Sequence, residues 1–132
     1  LDPDPSERSK TLADRLRTFV LRVQQQLSKE QNLQIARVIY REAIAFREIT
    51  EIARLNFYRN QIGPVERILG DEGFEEDEAR QLASHFVVMA LGKWQRRVIF
   101  DEPAMTQTQM EEQADIVTQI FLNGITALPK GH

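Results

Sequence analysis

The segment 85–97, HFVVMALGKWQRR, most constrains the fold, because it is apolar on two sides of the helix that it predicts. A rotation of about 100° per residue separates the apolar side chains of this helix into two stripes. A surface helix of a globular protein usually has one apolar face. This helix therefore has two surfaces to bury. The wide stripe contains Leu82, Ala83, Phe86, Val87, Ala90, Leu91, Trp94 and Val98, and the narrow stripe contains Val88, Gly92 and Ile99.

The predicted last helix, residues 107–128, repeats this pattern with an apolar stripe that covers roughly half of its circumference. The stripe contains Ile116, Val117, Ile120, Phe121, Gly124, Ile125 and Leu128. Glycine in mid-helix costs about 1 kcal/mol relative to alanine, so Gly92 and Gly124 indicate close approach of another backbone. Two such helices suit packing on the body of the domain and on a second copy of the chain.

We therefore predict a homodimer in which these two helices from each chain form a four-helix bundle about a two-fold axis. The alternative is that both stripes are buried in the core of a monomer. The residues expected at the dimer interface are Val88, Gly92, Gln95, Ile99, Val117, Phe121, Gly124, Ile125 and Leu128.

Proline, glycine and capping signals divide the chain into about six helices, and strand-type alternation is absent, so we predict an all-α fold. Residues 1–5 are predicted to be a linker or tail, and residues 6–132 a single domain. Ser6 is a candidate N-cap for a first helix over residues 7–27. Residues 28–31 (SKEQ) and 108–111 (TQME) have the form of capping boxes. Further boundaries are predicted near Phe46, Gly63-Pro64, Gly70, Glu76 and Phe100.

Charge and composition argue against several functions. The 132 residues carry a net charge of −3, which is the wrong sign for a domain that grips phosphate. Lys93, Arg96 and Arg97 form a basic group, but Trp94 belongs to the wide apolar stripe, so we do not expect nucleic-acid binding by this segment. Cysteine is absent and no apolar run is long enough to span a bilayer, so we predict a cytoplasmic protein with no membrane contact.

Residue patterns for catalysis, metal binding or cofactor binding are not visible in the sequence. Histidine occurs at His85 and His132, without a metal-ligand spacing, and no phosphate-binding or nucleophile motif is present. The acidic segment 71–77, DEGFEED, does not have the spacing of a calcium loop. We therefore expect no enzyme activity, no metal and no cofactor.

A small-molecule pocket between helices is the remaining site hypothesis, since such pockets are mainly apolar with a few placed polar groups. The alternative is that the same aromatic and methionine side chains are ordinary core. His85 and Lys93 are the polar anchors among the candidates. The candidate pocket residues are Phe19, Val23, Tyr40, Phe57, Tyr58, His85, Phe86, Met89 and Lys93.

Three stretches resemble the C-terminal regulatory domain of the TetR/AcrR family of bacterial transcriptional regulators. Residues 37–58, RVIYREAIAFREITEIARLNFY, are similar to the family's apolar run, Glu-Ala, turn and closing Phe-Tyr. The acidic turn before the penultimate long helix is also similar, and residues 120–125, IFLNGI, resemble the ending of the family's last helix. Arg47 stands where the family often has proline, and no helix-turn-helix segment is present in this chain.

The resemblance implies an orthogonal helical bundle that dimerises through its last two helices and binds an apolar or aromatic effector among the earlier ones. DNA would be contacted only by an N-terminal domain outside this chain, and effector binding would shift the spacing of the two DNA-binding domains of the dimer. The chain begins with Leu1, which we interpret as the start of a fragment. The alternative function is a helical protein–protein interaction module without a small-molecule ligand.

Overall fold

The fold was obtained as a computed structural model, which describes residues 10–128. Every regular element in that range is a helix, which confirms the all-α prediction. The predicted linker 1–5, the Ser6 cap and His132 lie outside the described residues. The elements are α1 (Leu12–Leu27), α2 (Glu30–Glu42), α3 (Arg47–Phe57), a π-helix (Tyr58–Ile62), α4 (Gly63–Asp71), α5 (Glu76–Ile99) and α6 (Gln107–Thr126).

The three elements from α3 to α4 form one uninterrupted helical rod, so the described chain contains six α-helices but five rods. The sequence predicted a new helix at Gly63-Pro64, and α4 does begin at Gly63 with Pro64 in its first turn, but no break separates it from the π-helix. Proline lacks an N–H and its ring clashes with the carbonyl four residues earlier, which normally breaks a helix. Here the wider turn of the π-helix precedes Pro64, and Gly63 donates its N–H to the Tyr58 carbonyl five residues back. The helix therefore continues through the proline.

Neither of the two predicted capping boxes forms at its predicted position. Ser28 ends α1, with its N–H donating to the Gln24 carbonyl, and the extended residue before α2 is Lys29, which makes no side-chain cap. At α6 the capping box uses Thr106 and Gln109, at 3.1 and 2.9 Å, instead of Thr108 and Glu111. An N-cap needs an extended backbone, and Thr108 is already helical.

Helix α1 packs across α5 and α6 and completes the core. The fully buried Gln24 donates from Nε2 to the Ala90 carbonyl at 3.0 Å. Trp94 donates from Nε1 to the Leu27 carbonyl at 3.1 Å, which confirms that its indole points inward. The core contains most of the wide stripe of α5, namely Ala83, Phe86, Val87, Ala90, Leu91, Trp94 and Val98, with Leu16, Val20, Val65, Leu69, Ala114 and others.

Candidate interaction surfaces

The narrow stripe of α5 is exposed. Val88 and Ile99 are 64% and 53% exposed, and Gly92 and Gln95 between them are also exposed. These residues recur at intervals of three and four, so they form one line along the helix. None of the four carries a charge, although 28% of the chain is Asp, Glu, Lys or Arg. An uncharged, exposed line on a long helix is unusual for a solvent-facing surface.

Helix α6 presents a second uncharged line. Ile116 and Ile120 are 51% and 55% exposed, Gly124 follows four residues later, and the exposed Leu128 lies just beyond the end of the helix. Gly124 has open space around it, because an added Cβ would meet no atom within 4 Å, and the same holds for Gly92 on α5. Neither glycine is therefore required by packing within the described chain.

Neither line takes part in the contacts that its helix makes with α1. On α5, helical rotation places Val88 and Ile99 roughly opposite Ala90, the residue whose carbonyl meets Gln24 of α1. On α6, Ile116 and Ile120 are rotated by about 100° and 140° from Asp115, which pairs with Arg17 of α1. Both lines therefore face away from α1. We call the surface formed by Val88, Gly92, Gln95, Ile99, Ile116, Ile120, Gly124 and Leu128 the two-helix face.

Two residues predicted at the dimer interface belong to the core instead. Val117 and Phe121 are 2% and 5% exposed, and the Phe121 ring meets the Phe86 ring edge to face, with centroids 4.8 Å apart. Ile125 is half-buried and packs against the same core. The adjacent Ile116 and Ile120 take the exposed positions, because a step of one residue rotates a side chain by about 100°. The regular spacing of residues 116, 120, 124 and 128 was the sequence signal for this part of the two-helix face.

The nine predicted pocket residues are spread over five elements. Phe86 is fully buried against Phe121, so it is a core residue. His85 and Lys93 are exposed on α5. Phe19, Val23 and Met89 are half-buried against the core, whereas Tyr40, Phe57 and Tyr58 remain partly exposed.

A surface cleft of about 300 Å³ lies between α1 and α6. Six of its eight lining residues are polar or charged, and Arg17 and Asp115 form an ion pair in it. The hydrogen bond to Asp115 raises the pKa of Arg17 above its ordinary value. None of the predicted pocket residues lines this cleft, which contains Ala13, Asp14, Arg17, Asp115, Thr118, Gln119, Leu122 and Asn123.

A polar network joins the π-helix to α4 and α5. The Tyr58 hydroxyl donates to Glu66 Oε2 at 2.7 Å, and Arg80 Nε donates to Glu66 Oε1 at 2.9 Å. The hydrogen bond to Glu66 raises the pKa of Tyr58. The separate hydrogen bond from Arg80 to Glu66 is the main reason that the pKa of Arg80 is raised. On α2, burial raises the pKa of Tyr40, and the side chain of Gln95 partly offsets this rise.

The basic residues at the end of α5 form hydrogen bonds within the chain. Arg96 Nε donates to Glu102 Oε1 at 3.2 Å, and an Arg97 Nη1 donates to the Pro103 carbonyl at 2.7 Å. Both contacts hold the loop between α5 and α6 against the helix. These two arginines therefore have structural partners.

The described residues 10–128 include no cluster of three or more His, Cys, Asp or Glu side chains that could hold a metal ion. Of the helices in that range, none combines the length and the apolar character needed to cross a membrane. Comparisons with protein-family models, curated proteins and solved structures found no match to this chain.

Proposed function

We propose that this chain is an effector-sensing and homodimerisation domain of a TetR-like transcriptional repressor, and that it dimerises through the two-helix face. The observation that carries the proposal is the uncharged double line on α5 and α6, which is exposed in the single chain. Transfer of such apolar surface out of water stabilises association. A two-fold axis would bring the same lines of two chains together as a four-helix bundle.

Effector sensing is the second half of the proposal, and it is supported by the sequence resemblance and by the position of α5. This helix carries the two-helix face on one side and core residues such as Phe86 and Trp94 on the other. A ligand that moves α5 from the inner side would therefore change the dimer geometry on the outer side. Coupling of this kind needs a difference in ligand affinity between the two arrangements.

Sedimentation equilibrium of the chain at micromolar concentration tests the dimer. We expect a reversible monomer–dimer equilibrium, because the exposed stripes are long and uncharged. A thermal-shift screen with apolar and aromatic compounds tests sensing, since a ligand that binds only the folded state raises the melting temperature. If the chain stays monomeric at these concentrations, the proposed dimerisation is wrong. If no compound in the screen raises the melting temperature, the proposed effector sensing is wrong.

A helical protein–protein interaction module is the second candidate, and a specific feature of the surface favours it. Apolar side chains are also exposed on α2, on the turn after it and on α3, well separated in sequence from the two-helix face. A heterologous partner could cover them. The exposed residues of this second region include Ile35, Val38, Ile44, Phe46, Ile52 and Leu55. The thermal-shift screen separates the two candidates, because a pure interaction module would respond to no small compound.

A further inference from the structure

The dipeptide Asn123-Gly124 lies in the last turn of α6, which ends at Thr126, and both of its residues are exposed. The amide carbon of an asparagine side chain is an electrophile that the backbone nitrogen of the next residue can attack. The attack closes a five-membered ring, and a side chain on the next residue hinders it. Glycine has no Cβ, so the nitrogen of Gly124 is an unhindered nucleophile.

The other three asparagines of the chain lack this arrangement. Asn32 precedes a leucine, and its Nδ2 donates to the Gln26 carbonyl at 2.6 Å. Asn56 and Asn60 precede a phenylalanine and a glutamine, and both lie inside the continuous rod formed by α3, the π-helix and α4. These three residues therefore serve as internal references for the reactivity of Asn123.

The end of α6 can open with little loss of packing. In a helix the Gly124 nitrogen is bonded to the carbonyl four residues earlier, so the attack needs a local opening. The backbone ladder ends at this point, because the Asn123 carbonyl accepts from the Thr126 hydroxyl at 2.8 Å and the Ala127 N–H donates to the Gly124 carbonyl at 3.1 Å. Ile125 is half-buried against the core, whereas its neighbours in this turn are exposed. Helix ends with few buried contacts open most readily.

We propose that Asn123-Gly124 is a site of spontaneous deamidation, and that its product weakens the dimer formed through the two-helix face. The Gly124 nitrogen, after losing its proton to a base, bonds to Cγ of Asn123, and the side-chain nitrogen leaves as ammonia. Water then opens the resulting succinimide ring at one of its two carbonyls, so residue 123 becomes aspartate or isoaspartate. The reaction consumes one water and releases one ammonia, and it needs no oxidant or reductant.

The new carboxylate lies on the uncharged two-helix face. Asn123 follows Ile116 by seven residues, so helical rotation places the two side chains within about 20° of each other on α6. A two-fold axis brings one such carboxylate from each chain into the interface, where like charges oppose association. A negative charge is also unfavourable in the last turn of a helix. This effect on dimerisation rests on the proposed function, whereas the deamidation itself does not.

Peptide mass spectrometry of the chain tests the site, after incubation in mildly alkaline buffer at a concentration where the chain is monomeric. We expect the mass increase from amide to carboxyl group to appear first at residue 123, with isoaspartate in the product, and later at Asn32, Asn56 and Asn60. Gly124→Ala is the matched variant, because an added Cβ meets nothing within 4 Å. It should slow the reaction by about fivefold or more, since alanine favours the closed helix and hinders the attack.

Two results would overturn the site. The first is a reaction at residue 123 that is no faster than at the other three asparagines. The second is an equal rate in Gly124→Ala, which would show that the missing Cβ and the opening of the helix do not control the reaction.

Sedimentation equilibrium of Asn123→Asp tests the effect on the dimer. Asn56→Asp is the matched control, because Asn56 is exposed on α3, lies outside the two-helix face and gains the same charge. We expect the dimer dissociation constant to rise by about tenfold or more in Asn123→Asp and to stay within about twofold in Asn56→Asp. Added salt should reduce the difference, because it screens the two carboxylates. Equal dissociation constants in the two variants would overturn the effect.

Failure of this inference is distinguishable from failure of the proposed function. If the unmodified chain stays monomeric, the proposed dimer and the effect on it are both wrong, while mass spectrometry still decides the site. If Asn123→Asp dimerises as well as the unmodified chain, the proposed dimer stands and the carboxylate lies outside its interface.

Discussion

Gln24 shows how a single buried amide affects the stability of this fold. The side chain is fully buried, and while its Nε2 donates to the Ala90 carbonyl, its Oε1 has no hydrogen-bond partner in the described chain. An unpaired buried acceptor costs about 1–3 kcal/mol, whereas a typical hydrogen bond contributes about 1 kcal/mol. The Ala90 carbonyl also lies inside α5, where helical geometry supplies a backbone donor.

We therefore predict that Gln24→Met raises the free energy of unfolding by about 1 kcal/mol, because methionine fills a similar volume without a polar atom. Urea denaturation followed by circular dichroism measures the change. Gln25→Met is the control: Gln25 is exposed and bonds to the exposed Gln107, so we expect a change within about 0.5 kcal/mol. A loss of stability in Gln24→Met would show that the buried amide contributes more than its unpaired oxygen costs.

Tyr58 provides a prediction on pH. The hydrogen bond to Glu66 raises the pKa of Tyr58 above its ordinary value of 10.0, so the folded state favours the protonated phenol. The resulting stabilisation is complete below the unfolded pKa and is lost as the pH rises through the higher folded pKa. Glu66→Gln removes the carboxylate acceptor, so we expect the Tyr58 transition to move back toward its ordinary value.

Ultraviolet absorbance of the phenolate follows this transition, since the chain has only two tyrosines. Tyr40 is the internal control, because burial and not Glu66 raises its pKa, and its transition should be unchanged in Glu66→Gln. Tyr58→Phe identifies which transition belongs to which residue. Two unchanged transitions in Glu66→Gln would show that Tyr58 does not bond to Glu66 in solution.

Helix boundaries are the element-scale feature that the sequence predicted best. The ends near Glu76 and Phe100 are confirmed by α5, because acidic clusters and proline act locally on the backbone, and the boundary near Phe46 is confirmed by the start of α3. The continuous rod through Gly63-Pro64 was not predictable from these local signals. It depends on the π-helix before Pro64 and on the anchoring of α4 by the core, which is a tertiary effect.

The capping box of α6 gives a test at the same scale. Thr106 accepts from the Gln109 N–H at 3.1 Å, and Gln109 Oε1 accepts from the Thr106 N–H at 2.9 Å. We predict that Thr106→Ala lowers the free energy of unfolding by about 1 kcal/mol. Thr108→Ala alters an exposed residue of the first turn and should cost less than about 0.5 kcal/mol. Chemical denaturation of both variants measures the difference, and equal losses would contradict the observed cap position.

The whole molecule shows why the two-helix face was only partly predictable. Helical periodicity identifies an apolar arc on α6, but it does not say which part of a wide arc faces the chain's own core. That choice depends on where α1 packs across α5 and α6, which brings Val117 and Phe121 inward and leaves Ile116 and Ile120 exposed. On α5 the two stripes are separated by polar residues, so the exposed positions of Val88 and Ile99 followed from the sequence.

Gly124 provides a prediction about the proposed dimer. An added Cβ would meet nothing within 4 Å in the chain, so Gly124→Leu should fold normally. It should even gain up to about 1 kcal/mol of helix propensity. In the proposed dimer, the same leucine would separate helices that approach closely at this position. We therefore expect the dimer dissociation constant to rise by about tenfold or more while the helical content stays unchanged.

Sedimentation equilibrium measures the dissociation constant, and circular dichroism measures the helical content. Gly70→Leu is the matched control, because Gly70 is an exposed glycine of α4 whose added Cβ would also meet nothing within 4 Å, and it lies outside the two-helix face. The control should dimerise like the unmodified chain. If Gly124→Leu dimerises equally well, α6 does not approach its partner at this residue. Weakened dimerisation in both variants would instead indicate a general effect of leucine on the fold.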